Sequence, residues 1–132
     1  MSKTNYKILV IDDDLTTIRI MEKLLVNDGY AVISSSSGKL GVQKAREEQP
    51  TLILVDAMIP DMSGAQVVRA LRQEVETRTI PIIFITAIMG VENDKGDEEI
   101  NVDGEYFRAF AKPLHNPKLL SVIRKEINKA NN

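Results

Sequence analysis

The chain is predicted to fold as a doubly wound α/β domain, a five-stranded parallel sheet with helices on both faces. Short apolar runs alternate with segments of helical periodicity from end to end, the pattern of strand–helix–strand crossovers. The runs Ile8–Ile11, Leu52–Val55, Ile82–Ile85 and Phe107–Ala111 do not alternate strictly between apolar and polar residues. Each strand is therefore expected to be buried on both faces. Each run also ends in a residue suited to phosphoryl chemistry: Asp12, Asp13 and Asp14; Asp56; Thr86; and Lys112.

The first strand is followed by Leu15, Ile18, Met21, Leu24 and Leu25 at helical spacing, with Asn27-Asp28-Gly29 as the stop. Ala31–Ser35 reads as a short second strand. After the Ser36–Gly38 turn comes a moderately amphipathic helix from about Lys39 to Glu48, ended before Pro50. The third strand ends at Asp56. Ser63 and Gln66 then have capping-box spacing ahead of Val67, Val68, Leu71 and Val75 on one helical face.

Pro81 opens the fourth strand, at a position where a missing N–H is tolerated. Ile88–Glu105 should hold a fourth helix, but Gly90, Gly96, Gly104 and sparse apolar content argue for an irregular or poorly formed one. A fifth strand leads to Lys112. Asn116-Pro117 supplies an N-cap and N1 proline for a last helix striped by Leu119, Leu120, Ile123 and Ile127.

At 132 residues one domain is expected over 1–132, with its core at about 6–129. There is no cysteine, which excludes disulfides, thiolate metal sites and a Cys nucleophile. No apolar stretch approaches the ~20 residues of a membrane span, and no signal pattern opens the chain. A cytoplasmic protein without membrane insertion is expected. The net charge of −2 offers no basic face for direct nucleic-acid binding. Acid is concentrated between Glu92 and Glu105, where Glu92, Asp94, Asp97, Glu98, Glu99, Asp103 and Glu105 face only Lys95.

In an open parallel sheet all strand carboxyl ends lie on one edge, and ligands bind where strand order reverses. The four polar endings are thus expected to converge. Asp12, Asp13 and Asp56 brought together would repel by about 4 kcal/mol per pair at ~4 Å and an effective dielectric near 20. Such a cluster wants a cation, and oxygen-only ligands suit Mg²⁺. A carboxylate beside Mg²⁺, an ammonium and a hydroxyl is arranged to attack phosphorus and form an aspartyl phosphate.

Asp12-Asp13 after a strand, Asp56 followed by Pro60 and Gly64, Thr86-Ala87 after the fourth strand, and Lys112-Pro113 appear in this order along the chain. In that respect it resembles the receiver domains of two-component response regulators, CheY-like in size, over essentially its whole length. The resemblance implies that Asp56 is the phosphoacceptor. It also implies Mg²⁺ ligands in Asp13, Asp56, Asp12 mostly through water, and the Met58 carbonyl. Thr86 would hydrogen-bond a phosphoryl oxygen, and Lys112 would pair with the phosphate or with Asp56. The Lys112–Pro113 bond would be cis.

The donor would be a sensor histidine kinase or phosphotransfer protein. A downstream effector or linked output domain would read the signal, with homodimerisation on phosphorylation as one outcome. Such a protein would catalyse its own phosphorylation and dephosphorylation, so it is not expected to be an enzyme. The alternatives are a degenerate receiver acting as a phosphorylation-independent interaction module and, more remotely, an aspartate-dependent phosphohydrolase.

Three departures from the family pattern stand out. Ala109 occupies the position three before the lysine that usually holds Tyr or Phe. The interval from Thr86 to Lys112 is a few residues longer than is typical, and the segment within it is expected to be mobile or irregular and to be ordered by phosphorylation. Met58 and Ile88 are apolar where they would flank the phosphoryl group, which predicts slow loss of phosphate. Asp14 reads as a helix N-cap, and His115, the only histidine, as a loop residue. Glu99, Asn101, Asp103 and Gly104 mimic the front of a calcium loop, but its twelfth position is Phe110 rather than Glu.

Overall fold

A computed structural model describes residues 6–87, 98–112 and 118–130. The elements run β1 (Lys7–Ile11), α1 (Leu15–Asn27), β2 (Ala31–Ser35), α2 (Gly38–Glu48), β3 (Leu52–Asp56), α3 (Gly64–Arg72), β4 (Ile82–Thr86), β5 (Glu98–Val102), β6 (Glu105–Ala111) and α4 (Lys118–Ala130). The strands form one sheet in the order β2-β1-β3-β4-β6-β5. All neighbours are parallel except β5 and β6, which are antiparallel. Among the described residues no helix is long and apolar enough to cross a membrane.

The doubly wound α/β fold is as expected, with one strand more than the five anticipated. Glu98–Glu105, expected within an irregular helix, instead holds β5, a turn and the start of β6. The turn explains why. Asp103 and Gly104 have φ of 53° and 92°, consecutive positive values of the kind a two-residue hairpin turn needs. The Asn101 side chain accepts the Gly104 N–H at 2.9 Å. Residues 88–97, with Ile88 and the remaining acids, lie outside the described residues. So do Pro113 and the predicted cis bond, His115, and the Asn116-Pro117 cap.

Successive strand residues feed two cores. Ile8, Val10, Leu52, Leu54, Ile83, Ile85 and Phe110 pack with α1 and α4 through Ile18, Met21, Leu25, Leu119 and Ile123. Leu9, Ile11, Ile53, Val55, Ile82, Phe84, Phe107 and Ala109 pack with α2, α3 and Val102 of β5. Every residue of β3 and β4 is buried, which is why their sequences show no period of two.

Local signals account for the helix ends. The Asp14 carboxylate accepts the Thr16 N–H at the start of α1, as its N-cap reading anticipated. Ser37 caps α2 through the Leu40 N–H. Ser63 and Gln66 form a reciprocal capping box on α3. Val75, expected on the buried stripe of α3, instead lies beyond the helix end at Arg72 and is 72% exposed.

Candidate functional site

Strand order reverses between β1 and β3: the chain places β2 on one side of β1 and all later strands on the other. Ile11 lies opposite Val55 in the register, so Asp12 and Asp56 flank the switch point. Asp56 lies opposite Ile85, and Thr86 opposite Ala111. All the predicted polar endings thus occur at one edge of the sheet.

Asp12, Asp13 and Asp56 each present a carboxylate oxygen within 4.8 Å of the others. Asp12 is wholly buried, Asp56 is 5% exposed, and Asp13 is exposed. Lys112 Nζ lies 2.7 Å from Asp12 Oδ2 and 3.0 Å from Asp56 Oδ2. The other oxygens are held by backbone. Asp14 N–H donates to Asp12 Oδ1 at 2.9 Å, and Met58 N–H to Asp56 Oδ1 at 3.1 Å. Thr86 is buried at the end of β4, and its carbonyl accepts the Lys112 N–H at 2.9 Å. Met58 itself is 62% exposed beside the site.

Burial is the largest influence on Asp12 and, with the charge of Asp56, outweighs Lys112 and the Asp14 N–H, so its carboxyl titrates above the usual range. For Lys112 burial is again the largest single influence and pulls downward. Its contacts with Asp12 and Asp56 outweigh burial, and the ammonium titrates above the ordinary lysine value.

The residues fit a divalent cation. Three carboxylates against one ammonium leave two negative charges uncompensated. Asp12 Oδ2, close to Lys112 but poorly angled, has no hydrogen-bond donor although it is buried. A hard ion with oxygen ligands would satisfy both conditions.

Two supports were not legible as such. Gly64 lets α3 start against the end of β3: a Cβ there would lie 2.7 Å from the Phe84 ring, 2.8 Å from the Asp56 carbonyl oxygen and 2.9 Å from Ala57 Cα. The Asp61 carboxylate reaches from the same loop to the first N–H groups of α2, accepting from Gly38 and Lys39 at 2.9 Å each. A proline-containing loop is a sign of Gly64's role, but no local signal marks Asp61's distant partners.

Residues 8–124 match the family described as the response regulator receiver domain. The chain belongs to that family. A curated relative of this receiver domain, the polar-differentiation response regulator DivK of Brucella ovis, is 31% identical over 123 residues, 93% of this chain and 97% of the relative. Among solved structures, a CheY-like receiver domain protein from Methanospirillum hungatei is 23% identical and superposes with a TM-score of 0.78, covering 96% of both chains. The receiver domain of a sensor histidine kinase from Pseudomonas aeruginosa, solved with magnesium coordinated in its active-site cleft, is 24% identical with a TM-score of 0.77. It covers 93% of this chain and 98% of that one. Phosphorylation-based switching is the general function of the receiver domains of two-component response regulators.

Proposed function

We propose that this receiver accepts a phosphoryl group on Asp56 from the phosphohistidine of a sensor histidine kinase or phosphotransfer protein in the cytoplasm. The observation that carries this reading is the Lys112 ammonium lying between Asp12 and Asp56, with Asp13 in reach. An Asp56 carboxylate oxygen attacks phosphorus. The new O–P bond forms as the P–N bond breaks, and the imidazole leaves with the bonding electron pair. Lys112 neutralises the transferred oxygens, and the Met58 N–H orients Asp56. The Thr86 hydroxyl is assigned to a phosphoryl oxygen.

Asp12, Asp13, Asp56 and the Met58 carbonyl would hold Mg²⁺, which supplies positive charge against the developing phosphoryl charge. The exposed Met58 side chain shields the product from water and slows its hydrolysis. A linked output domain, a separate effector or a second copy of the chain then reads the state of the switch. The chain turns over no external metabolite, so the protein is not an enzyme in the ordinary sense.

Incubation with acetyl phosphate or phosphoramidate and Mg²⁺, followed by intact-mass measurement, tests this. Wild type is expected to gain one phosphoryl group and Asp56→Asn none. No Mg²⁺-dependent gain on wild type would leave a phosphorylation-independent interaction module. Multiple turnover of a phosphate ester would indicate a phosphohydrolase.

A further inference from the structure

The β1–β3 ladder ends one residue short of Asp12 and Asp56, since its last pair is Ile11 with Val55. Lys112 draws the two acids together from one side. A second connection joins them through the turn before α2. The Asp12 N–H donates to the Ser35 carbonyl at 3.0 Å, the Ser35 hydroxyl donates to the Ser37 carbonyl at 2.8 Å, and the Gly38 and Lys39 N–H groups donate to the Asp61 carboxylate. Asp61 lies in the loop after Asp56. That loop is closed on itself by the Met58–Ser63 bridge and by the Gly64 N–H on the Ala57 carbonyl at 2.9 Å. The Met58 N–H returns to Asp56 Oδ1, so a path from Asp12 to Asp56 is complete without Lys112.

A helix start carries four N–H groups that have no partner inside the helix. In α2 the Ser37 N–H goes to the Ser35 hydroxyl and the Leu40 N–H to the Ser37 hydroxyl, both within the turn itself. Gly38 and Lys39 instead use a carboxylate 23 and 22 residues away, on the Asp56 loop. Packing joins the same pieces. A Cβ on Gly38 would lie 2.9 Å from Met62 Cβ, and one on Gly41 2.6 Å from Ile11 Cδ1. The helix therefore starts hard against the Asp56 loop and against the residue before Asp12. Asp12, Asp13 and Asp56 repel one another at their separation, which pushes their loops apart. A strap behind them resists that spreading.

We infer that Asp61 is a positioning residue for the cation site: it straps the Asp56 loop to the start of α2 and so holds Asp12 and Asp56 at a spacing that takes a divalent cation. The inference deepens the reading of this site as a Mg²⁺-dependent phosphoryl acceptor and rests on it. Asp61 acts at a distance, since each of its carboxylate oxygens is engaged by an α2 N–H. Coupling of this kind is reciprocal. A strap that favours the loaded site is itself favoured by the cation.

The test is a Mg²⁺ titration of the ¹⁵N-labelled full chain followed by NMR, for wild type, Asp61→Ala, Asp61→Asn and Arg46→Ala. Arg46 is the control, because it ties the far end of α2 to Glu74 at 2.9 Å. Asp61→Ala is expected to weaken Mg²⁺ binding about tenfold and Arg46→Ala to leave it unchanged. Asp61→Asn, which keeps one acceptor oxygen, should fall between wild type and Asp61→Ala. Phosphorylation of Asp61→Ala by acetyl phosphate should be slow at limiting Mg²⁺ and approach the wild-type rate at saturation. In wild type, Mg²⁺ should slow hydrogen exchange at Gly38 and Lys39 more than at Ala45 and Glu47. If Asp61→Ala fails to fold, Asp61→Asn and the wild-type exchange carry the comparison. Wild-type Mg²⁺ affinity in Asp61→Ala, equal weakening in Arg46→Ala, exchange at Gly38 and Lys39 that ignores Mg²⁺, or a wild type that binds no Mg²⁺ would overturn the inference. A wild type that shows these Mg²⁺ effects but gains no phosphoryl group would support it while refuting the phosphoacceptor reading.

Discussion

Lys112 stands closer to Asp12 than to Asp56, at 2.7 Å against 3.0 Å. Asp12 is also the more deeply buried of the two and the one whose carboxyl is pushed upward, chiefly by burial. One ammonium therefore serves an acid that is costly to ionise and the acid for which the nucleophile's role is proposed.

A stability consequence follows. A carboxyl whose folded pKa is raised favours folding when protonated, and that contribution is lost as pH rises through the folded pKa. At neutral pH, with a chelator present, Asp12→Asn should thus raise stability by about 1 kcal/mol, a shift of a few degrees in Tm for a domain of this size. Lys112 keeps Asp56 as a partner. The gain should shrink toward pH 4, and added Mg²⁺ should raise the Tm of wild type more than that of the variant. Thermal melts from pH 4 to 8 provide the measurement, and a variant destabilised at pH 7 would contradict the charge argument.

Asp61 gives the opposite pH dependence. Hydrogen bonds from the Gly38 and Lys39 N–H groups hold its carboxyl below the usual range. Its contribution is fully present above the unfolded value near ~3.9 and is lost as pH falls through the depressed folded value. Asp61→Ala should lower Tm at pH 7, with the difference closing in acid, and should speed hydrogen exchange at Gly38 and Lys39. Unchanged exchange at those two amides would show that the contact does not hold the start of α2.

Two glycines should fail for different reasons. Gly64→Ala forces a methyl to within 3 Å of Phe84, the Asp56 carbonyl and Ala57, which should cost about 1–3 kcal/mol and slow phosphorylation by acetyl phosphate. Gly104→Ala meets no atom within 4 Å but must keep φ near +92°, which should cost about 1 kcal/mol. Phosphorylation should be unaffected there. Equal phosphorylation rates in the two variants would remove the steric argument for Gly64.

Arg72 ties α3 to the hairpin through Glu105, donates to the Ile80 carbonyl at 2.9 Å, and lies 5.3 Å from the centroid of the Phe107 ring. Phe107 in turn meets Phe84 edge-on with ring centroids 5.8 Å apart. Arg72→Ala should cost about 1–2 kcal/mol in urea melts. Arg69→Ala, which removes an exposed pair with Asp103, should leave the midpoint within error. A double-mutant cycle between Arg72 and Phe107 measures the direct coupling.

The inner strands, the caps at Asp14 and Ser63 and the convergence of Asp12, Asp13, Asp56 and Lys112 were legible because each is encoded locally and the parallel topology does the rest. The hairpin was legible too, but the signal was misassigned. Asp103-Gly104 between Ile100, Val102 and the aromatic run at Tyr106–Phe107 is a strong short-range hairpin signal. Within an alternating strand–helix order Gly104 reads as a helix breaker, and that order is what the hairpin interrupts. The ties from Asp61 to α2 and from Arg72 to Glu105 join residues far apart in sequence, and no short window contains both partners.

The turn at Asp103-Gly104 also bears on the order of assembly. β1 and β3 pair across the whole α1–β2–α2 crossover, whereas β5 and β6 are joined by two residues and can zip on a microsecond scale. Phe107 and Ala109 would then reach β4 as part of a preformed ribbon, with Lys112 just beyond its end. The nucleus that templates the last inner strand would thus lie at the rim of the sheet. Gly104→Ala should accordingly slow refolding more than it speeds unfolding.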